Sequence, residues 1–207
     1  MRRILYLKAS PRAERSRSVA VTEAFLGAYR AAHPGDKIES LDIFKKRLPP
    51  FDGPALDAKY QILHGSAPTP AQVAAWKTVE RLIAQFKSAD AYVLAVPMWN
   101  FGIPYRLKQY FDIIVQPTYT FSYSPGAGYT GLVRGKRAFV AYARGGDYGD
   151  SPALDFQRRY VECILGFMGI TDVRSVVLEG TLASGPEVAQ PRLDEALAEA
   201  RRLAAEF

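Results

Sequence analysis

Three short segments hold residue types that could bind and orient a ligand. The first is Lys8-Ala9-Ser10-Pro11-Arg12-Ala13-Glu14-Arg15-Ser16-Arg17-Ser18, and a helical pattern follows it near Val19. Three hydroxyls, three arginines and the free N–H groups of a helix N-terminus converge there. Hydroxyls and amides donate hydrogen bonds, and the helix dipole favours an anion. This suits a terminal phosphate monoester held without magnesium. An ordinary Ser18 N-cap beside a polar loop would use the same residues. The second segment is Val96-Pro97-Met98-Trp99-Asn100-Phe101-Gly102-Ile103-Pro104. Polar backbone beside flat apolar side chains suits a planar heterocycle with hydrogen-bonding edges; a turn packed on Trp99 and Phe101 is the structural alternative. The third is Ala141-Tyr142-Ala143-Arg144-Gly145-Gly146-Asp147-Tyr148-Gly149. Its paired glycines allow close approach of backbone to a ligand, or form a plain left-handed turn.

Each segment follows a predicted strand. Strands are expected at Arg3–Leu7, Lys37–Phe44, Ala91–Val96, Arg137–Ala143 and Val173–Glu179. Ala91–Val96 and Ala138–Tyr142 are nearly unbroken apolar runs, as expected of strands covered on both faces. Helical spacing lies between them: Val21, Phe25, Ala28 and Ala32; Trp76, Val79, Ile83 and Phe86; Leu107, Phe111 and Ile114; Val161, Leu165 and Met168; Leu193, Leu197, Ala200, Ala204 and Phe207. Five strands alternating with five helices predict an α/β fold with a doubly wound parallel sheet, since parallel neighbours need helical crossovers. Ligands in such sheets sit beyond the carboxyl ends of the strands, where all three segments fall. Leu48–Pro70 and Pro117–Gly135 are read as long irregular insertions.

The 207 residues fit a single domain spanning 1–207. One cysteine, Cys163, excludes an internal disulfide framework and a CxxC site; it is read as a small core residue of the fourth helix. No metal site is expected from two histidines, His33 and His64, and no apolar run is long enough to cross a bilayer. With no signal-peptide pattern, a cytoplasmic protein is expected. The net charge of +6 lies wholly in residues 1–50, which hold 11 Lys/Arg and 5 Asp/Glu, while residues 51–207 hold 16 of each. A local anion site or a solvated basic face both account for this. A nucleic-acid partner is not expected, because there is no basic helix, zinc finger or RNP-like strand.

Some motifs match in letters only. Gly126-Ala127-Gly128-Tyr129-Thr130-Gly131 fits G-x-G-x-x-G, but no predicted strand precedes it and no helix follows. Gly131–Lys136 resembles a P-loop one residue short and lacks the following Ser/Thr. No G-x-S-x-G elbow is present.

Seven stretches, in order over most of the chain, resemble the FMN-dependent NADH-azoreductases, a branch of the flavodoxin-like quinone reductases. They are Ser10-Pro11 with Ser16-Arg17-Ser18, Pro97–Phe101, Leu107–Asp112, Thr120–Tyr123, Gly131–Val133, Arg144–Gly146 and Leu165–Gly169. The resemblance implies FMN as cofactor. Ser10, Ser16, Arg17 and Ser18 would hold its phosphate. Met98, Trp99, Asn100 and Phe101 would line the isoalloxazine, and Ala143, Arg144, Gly145 and Gly146 would cover its pyrimidine end. The family commonly has Tyr where Trp99 stands and Ser where Ala143 stands, which leaves backbone contact alone at 143. A homodimer is implied, with Tyr123 and Phe167 walling a substrate pocket from the partner subunit. NADH or NADPH would reduce the flavin, and a quinone or azo compound would then take two electrons in the same place, with no catalytic residue required. Rival readings are a one-electron flavodoxin-type carrier, a hydrolase acting on a phosphopantetheine carrier and a nucleic-acid module. The basic charge and the aromatic loops weigh against the first, and the missing nucleophile against the second.

Overall fold

The computed structural model describes residues 1–149 and 151–207. Five parallel strands form the central sheet: β1 (Arg3–Lys8), β2 (Lys37–Asp42), β3 (Ala91–Pro97), β6 (Arg137–Ala143) and β7 (Asp172–Leu178), in the spatial order β2-β1-β3-β6-β7. Between β3 and β6 a short antiparallel hairpin, β4 (Phe121–Ser124) and β5 (Gly128–Gly131), stands apart from the sheet. The helices are α1 (Arg17–Ala32), α2 (Gly53–Leu63), α3 (Pro70–Ser88), α4 (Tyr105–Ile114), α5 (Phe156–Met168) and α6 (Pro186–Ala205). Among the described residues no helix is long and apolar enough to cross a membrane.

Side chains of a strand alternate between faces, so each strand feeds two cores. Tyr92, Leu94 and Val96 of β3 pack with Trp76, Val79 and Phe86 of α3, Leu107 and Phe111 of α4, and Val161 and Leu165 of α5. Ala91, Val93 and Ala95 face the opposite side, with Val21 and Phe25 of α1 and Ala200 and Leu203 of α6. The small residues on that face let α1 and α6 settle close to the sheet, where Phe25 stacks on Phe139 with ring centroids 4.0 Å apart. The doubly wound parallel sheet expected from the sequence is therefore present. Its strand order reverses direction between β1 and β3, which makes a crevice beyond their carboxyl ends the natural ligand site.

The two insertions are more ordered than their composition suggests. Leu48–Pro70 contains α2, with Pro54 in its first turn. A proline there gives up only an N–H that the helix leaves unpaired anyway, so it starts a helix as readily as it breaks one. Arg106 of α4 pins the preceding loop by donating to the carbonyls of Ile43 (3.1 Å) and Lys46 (2.7 Å), and Gln109 donates to Pro49 (3.0 Å). Pro117–Gly135 contains the β4–β5 hairpin, so its G-x-G-x-x-G letters are a hairpin turn and its second strand. The P-loop-like lysine, Lys136, donates to the carbonyls of Lys87 and Ala89 at the end of α3. Cys163 is exposed, contrary to the core position expected of it. It lies two residues past Val161, roughly 200° around the helix from that core-facing side.

Gly131 has its own reason to be glycine. A Cβ there would stand 2.3 Å from the Gly169 nitrogen and 2.4 Å from the Met168 carbonyl carbon, both backbone atoms where α5 ends. Gly131→Ala is expected to destabilise the protein by about 2 kcal/mol as the hairpin is pushed off α5, lowering Tm by about 4 to 8 °C. In the same thermal scan Gly27→Ala, on the exposed face of α1 with open space around its Cβ, is expected to stabilise by about 0.5–1 kcal/mol.

Candidate cofactor site

The three ligand-type segments end the three adjacent strands β1, β3 and β6. The β1 turn closes with Ser16 as N-cap of α1, its Oγ accepting from the Val19 N–H at 3.4 Å. The helix thus begins two residues earlier than the sequence pattern suggests, and Ser18 lies within its first turn. Ser10, Ser16 and Ser18 are all buried, with the Ser16 and Ser18 hydroxyls 3.2 Å apart. Thr22 Oγ1 donates to the Ser18 carbonyl (3.1 Å) and meets the Tyr6 hydroxyl at 2.5 Å, which fixes this turn to the sheet. Burial drives the Tyr6 phenol well above its ordinary range, so it stays neutral. Arg12, Arg15 and Arg17 stand exposed around the serines with no ion pair among the described residues. They line a 390 Å³ depression with Ser16, Thr181 and Leu182.

The β3 turn is held open by strained backbone. Asn100 and Phe101 both have left-handed φ, 46° and 68°. Trp99 and Gly102 exchange two 3.0 Å backbone hydrogen bonds across them. A two-residue turn of this kind favours glycine, and each non-glycine residue in it costs about 1–3 kcal/mol. The N–H groups of Asn100 and Phe101 have no partner among the described residues and remain available to a ligand. Trp99 and Phe101 are substantially exposed beside them.

The β6 turn lies alongside. Met98 N–H donates to the Ala143 carbonyl at 2.8 Å, joining the two turns. Gly145 and Gly146 keep their N–H groups unpaired among the described residues, while the Gly145 carbonyl accepts from Leu182 (3.1 Å) and Ala183 (3.0 Å). A Cβ on Gly145 would come within 3.1 Å of the Leu182 side chain. Leu182 therefore stands against the glycine pair and also lines the depression at the serine turn. Arg144 is different from its neighbours. Its guanidinium is buried and bound to Gln157 (3.0 Å), Glu179 (2.9 Å) and Asp155 (2.5 Å), and its backbone N–H and C=O pair with Leu178 and Thr181. The Arg144 guanidinium therefore points to these partners, behind the glycines.

Beside the β3 turn a cleft of about 760 Å³ is lined by Trp99, Asn100, Ile103, Tyr105, Tyr160 and Cys163, among others. Burial pushes the Tyr160 phenol up to about 12, so it can donate a proton in a hydrogen bond but cannot act as a base. Tyr123 and Phe167 both join an aromatic group with Phe121 and Tyr129. Tyr123 lies 5.1 Å from Tyr129, which lies 5.5 Å from Phe167. Within one chain this group forms a patch on the hairpin and the end of α5. The sequence reading missed Leu182, Gln157 and the Tyr105–Tyr160 walls of the cleft. For the walls a signal existed: Phe156, Tyr160, Cys163 and Phe167 recur on the face of α5 opposite its core residues.

The donors present fit FMN: buried hydroxyls and helix N–H groups for a phosphate, then unpaired backbone N–H groups and aromatic rings for a flat polar ring system. Comparison with known proteins agrees. A family model described as the flavodoxin-like fold matches residues 2–204. The chain therefore belongs to the flavodoxin-like family. Within it the chain falls among the FMN-dependent NADH:quinone oxidoreductases. One from Nitratidesulfovibrio vulgaris Hildenborough is 56% identical over 210 residues, covering 100% of both chains, and one from Burkholderia lata is 44% identical over 97% of this chain and 99% of its own. Among solved structures, an azoreductase from Bacillus anthracis Sterne superposes with a TM-score of 0.92 at 33% identity over 100% of both chains. An FMN-dependent NADH-azoreductase from Bacillus anthracis Ames Ancestor, solved in complex with FMN, gives 0.86 at 31% identity over 99% of this chain and 100% of its own.

Proposed function

We propose that this chain is an FMN-dependent NAD(P)H oxidoreductase that reduces quinones and azo compounds. The observation that carries this reading is the row of ligand-ready groups along adjacent strand ends: Ser16 and Ser18, then Asn100 and Phe101, then Gly145 and Gly146. In this reading Ser10, Ser16, Arg17 and Ser18 hold the FMN phosphate. Met98–Phe101 line the isoalloxazine, and Ala143, Gly145 and Gly146 border its pyrimidine end. When bound, FMN supplies two-electron redox chemistry, accepting a hydride from NADH or NADPH and returning the electrons to an acceptor. The chain's own work is to bind, orient and stabilise charge. The N–H groups of Asn100, Phe101, Gly145 and Gly146, unpaired among the described residues, would be fixed donors for negative charge on the flavin ring. Trp99, Phe101 and Tyr105 give flat acceptors an aromatic surface without tight shape selection.

A homodimer completes the reading. Phe156, Tyr160, Cys163 and Phe167 form a continuous stripe on α5, and Tyr105, Tyr123 and Tyr129 stand exposed near it, as expected of a surface that meets a second copy. Tyr123 and Phe167 would then reach the partner's acceptor pocket. Dependence on NADH supports a cytoplasmic location.

The test is a visible spectrum of the purified or FMN-reconstituted protein, followed by anaerobic NADH. Oxidised flavin bands that bleach on NADH addition and return with a quinone are expected. Bands that bleach only with dithionite, through a stable semiquinone, would identify an electron carrier instead.

A further inference from the structure

The first turn of α5 is bonded to both the β3 turn and the β6 turn. Gln157 is completely buried between them. Its Nε2 donates to the carbonyl of Val96 at 2.9 Å, where β3 is about to enter the Pro97–Phe101 turn. Its Oε1 accepts from Arg144 Nε at 3.0 Å, directly before Gly145 and Gly146. The amide orientation is fixed by chemistry, since the guanidinium only donates and the carbonyl only accepts. The neighbours of Gln157 extend the same joint. The Phe156 N–H donates to the Phe101 carbonyl at 3.1 Å, so the β3 turn is held at its base and its tip. Asp155 caps α5 through Oδ1 on the Arg158 N–H (2.9 Å) and takes Arg144 through Oδ2.

We propose that Gln157 is a positioning residue that sets the spacing between the Asn100–Phe101 donors and the Gly145–Gly146 donors, and so the fit of the flavin ring between them. This rests on the FMN reading given above. A strained turn keeps its shape only when its surroundings over-determine it, and among the described residues Gln157 is the one buried side chain that bonds both to the end of β3 and to Arg144 just after β6. A displacement of about 1 Å in such donors is enough to weaken their action severely.

Two variants separate the bonds. Gln157→Glu keeps the acceptor for Arg144 but turns a carboxylate oxygen toward the Val96 carbonyl. Gln157→Leu removes both bonds. For each, FMN affinity of the apoprotein is measured by quenching of flavin fluorescence, with the visible circular dichroism of the bound flavin and Tm alongside. Both variants are expected to bind FMN about tenfold more weakly and to alter the flavin dichroism, because ring position, and not stability alone, has changed. Folded variants that bind FMN within twofold of wild type with unchanged dichroism overturn the inference, even if Tm falls. Should Gln157→Leu fail to fold, Gln157→Glu decides alone by the same criterion. A wild-type apoprotein that takes up no FMN overturns the cofactor reading and this inference together, whereas wild-type binding with unaltered variants overturns the inference only.

Discussion

Replacing Ser16 with aspartate is expected to abolish FMN binding while leaving the apoprotein folded. Ser16 is the N-cap of α1, and aspartate caps as well as serine, so the bond to the Val19 N–H survives. The helix dipole also tolerates a carboxylate at that end. What changes is the charge where a phosphate would sit. Two unit charges about 4 Å apart at an effective dielectric near 20 repel by about 4 kcal/mol. Even at half that value, the affinity falls by about 30-fold for each phosphate charge, and a phosphate monoester carries nearly two. A loss beyond about 100-fold is therefore expected in a fluorescence titration with FMN. Riboflavin, which lacks the phosphate, should bind the variant and wild type alike. Equal FMN affinity in the two proteins would move the phosphate away from the serine turn. Ser16→Ala should be milder, since it removes a hydroxyl without adding repulsion.

Strands were legible because a strand covered on both faces must be apolar throughout, as Ala91–Val96 is. Their carboxyl-end turns were legible because serine, paired glycine and proline-bounded aromatic segments have few other uses in that position. Pro54 hides the α2 helix, because a proline suggests a break although this one stands in a first turn. Cys163 sits in an apolar segment that reads as wholly buried, yet its position relative to Val161 and Leu165 puts it on the outer face. Gly131 offered no local signal, since its neighbours Met168 and Gly169 lie nearly 40 residues on and only tertiary packing creates the crowding. The strain at Asn100 and Phe101 was half visible. Asparagine tolerates left-handed backbone, but phenylalanine does not advertise it. Least legible was the work of Arg144. In sequence it reads as a cation beside two glycines at a ligand site. Its partners Asp155, Gln157 and Glu179 are 11, 13 and 35 residues away, and no pattern of spacing announces them.

Those partners make Arg144→Leu the substitution with the largest expected cost in stability. The guanidinium is 4% exposed, with Asp155 and Glu179 carboxylates at 14% and 24%. Its aliphatic replacement leaves both carboxylates facing a space they cannot neutralise, and leaves Gln157 Oε1 without a donor. Removing one partner from a buried ion pair costs about 3–5 kcal/mol. Partial exposure of Glu179 lets water soften the loss, so the low end, about 3 kcal/mol, is expected. For a chain of this size that lowers Tm by about 6–12 °C. Arg144→Lys keeps the charge but not the planar fork that serves three acceptors, and an intermediate loss should result. The triple variant Arg144→Leu, Asp155→Asn, Glu179→Gln distinguishes charge from shape. With the stranded charges neutralised, part of the lost stability should return, although the bonds holding the glycine turn do not. FMN affinity should then stay weak in a protein whose Tm has partly recovered. A thermal scan of the apoprotein showing Arg144→Leu within 1 kcal/mol of wild type would mean that water reaches both carboxylates and that the joint behind the glycines is not a buried one.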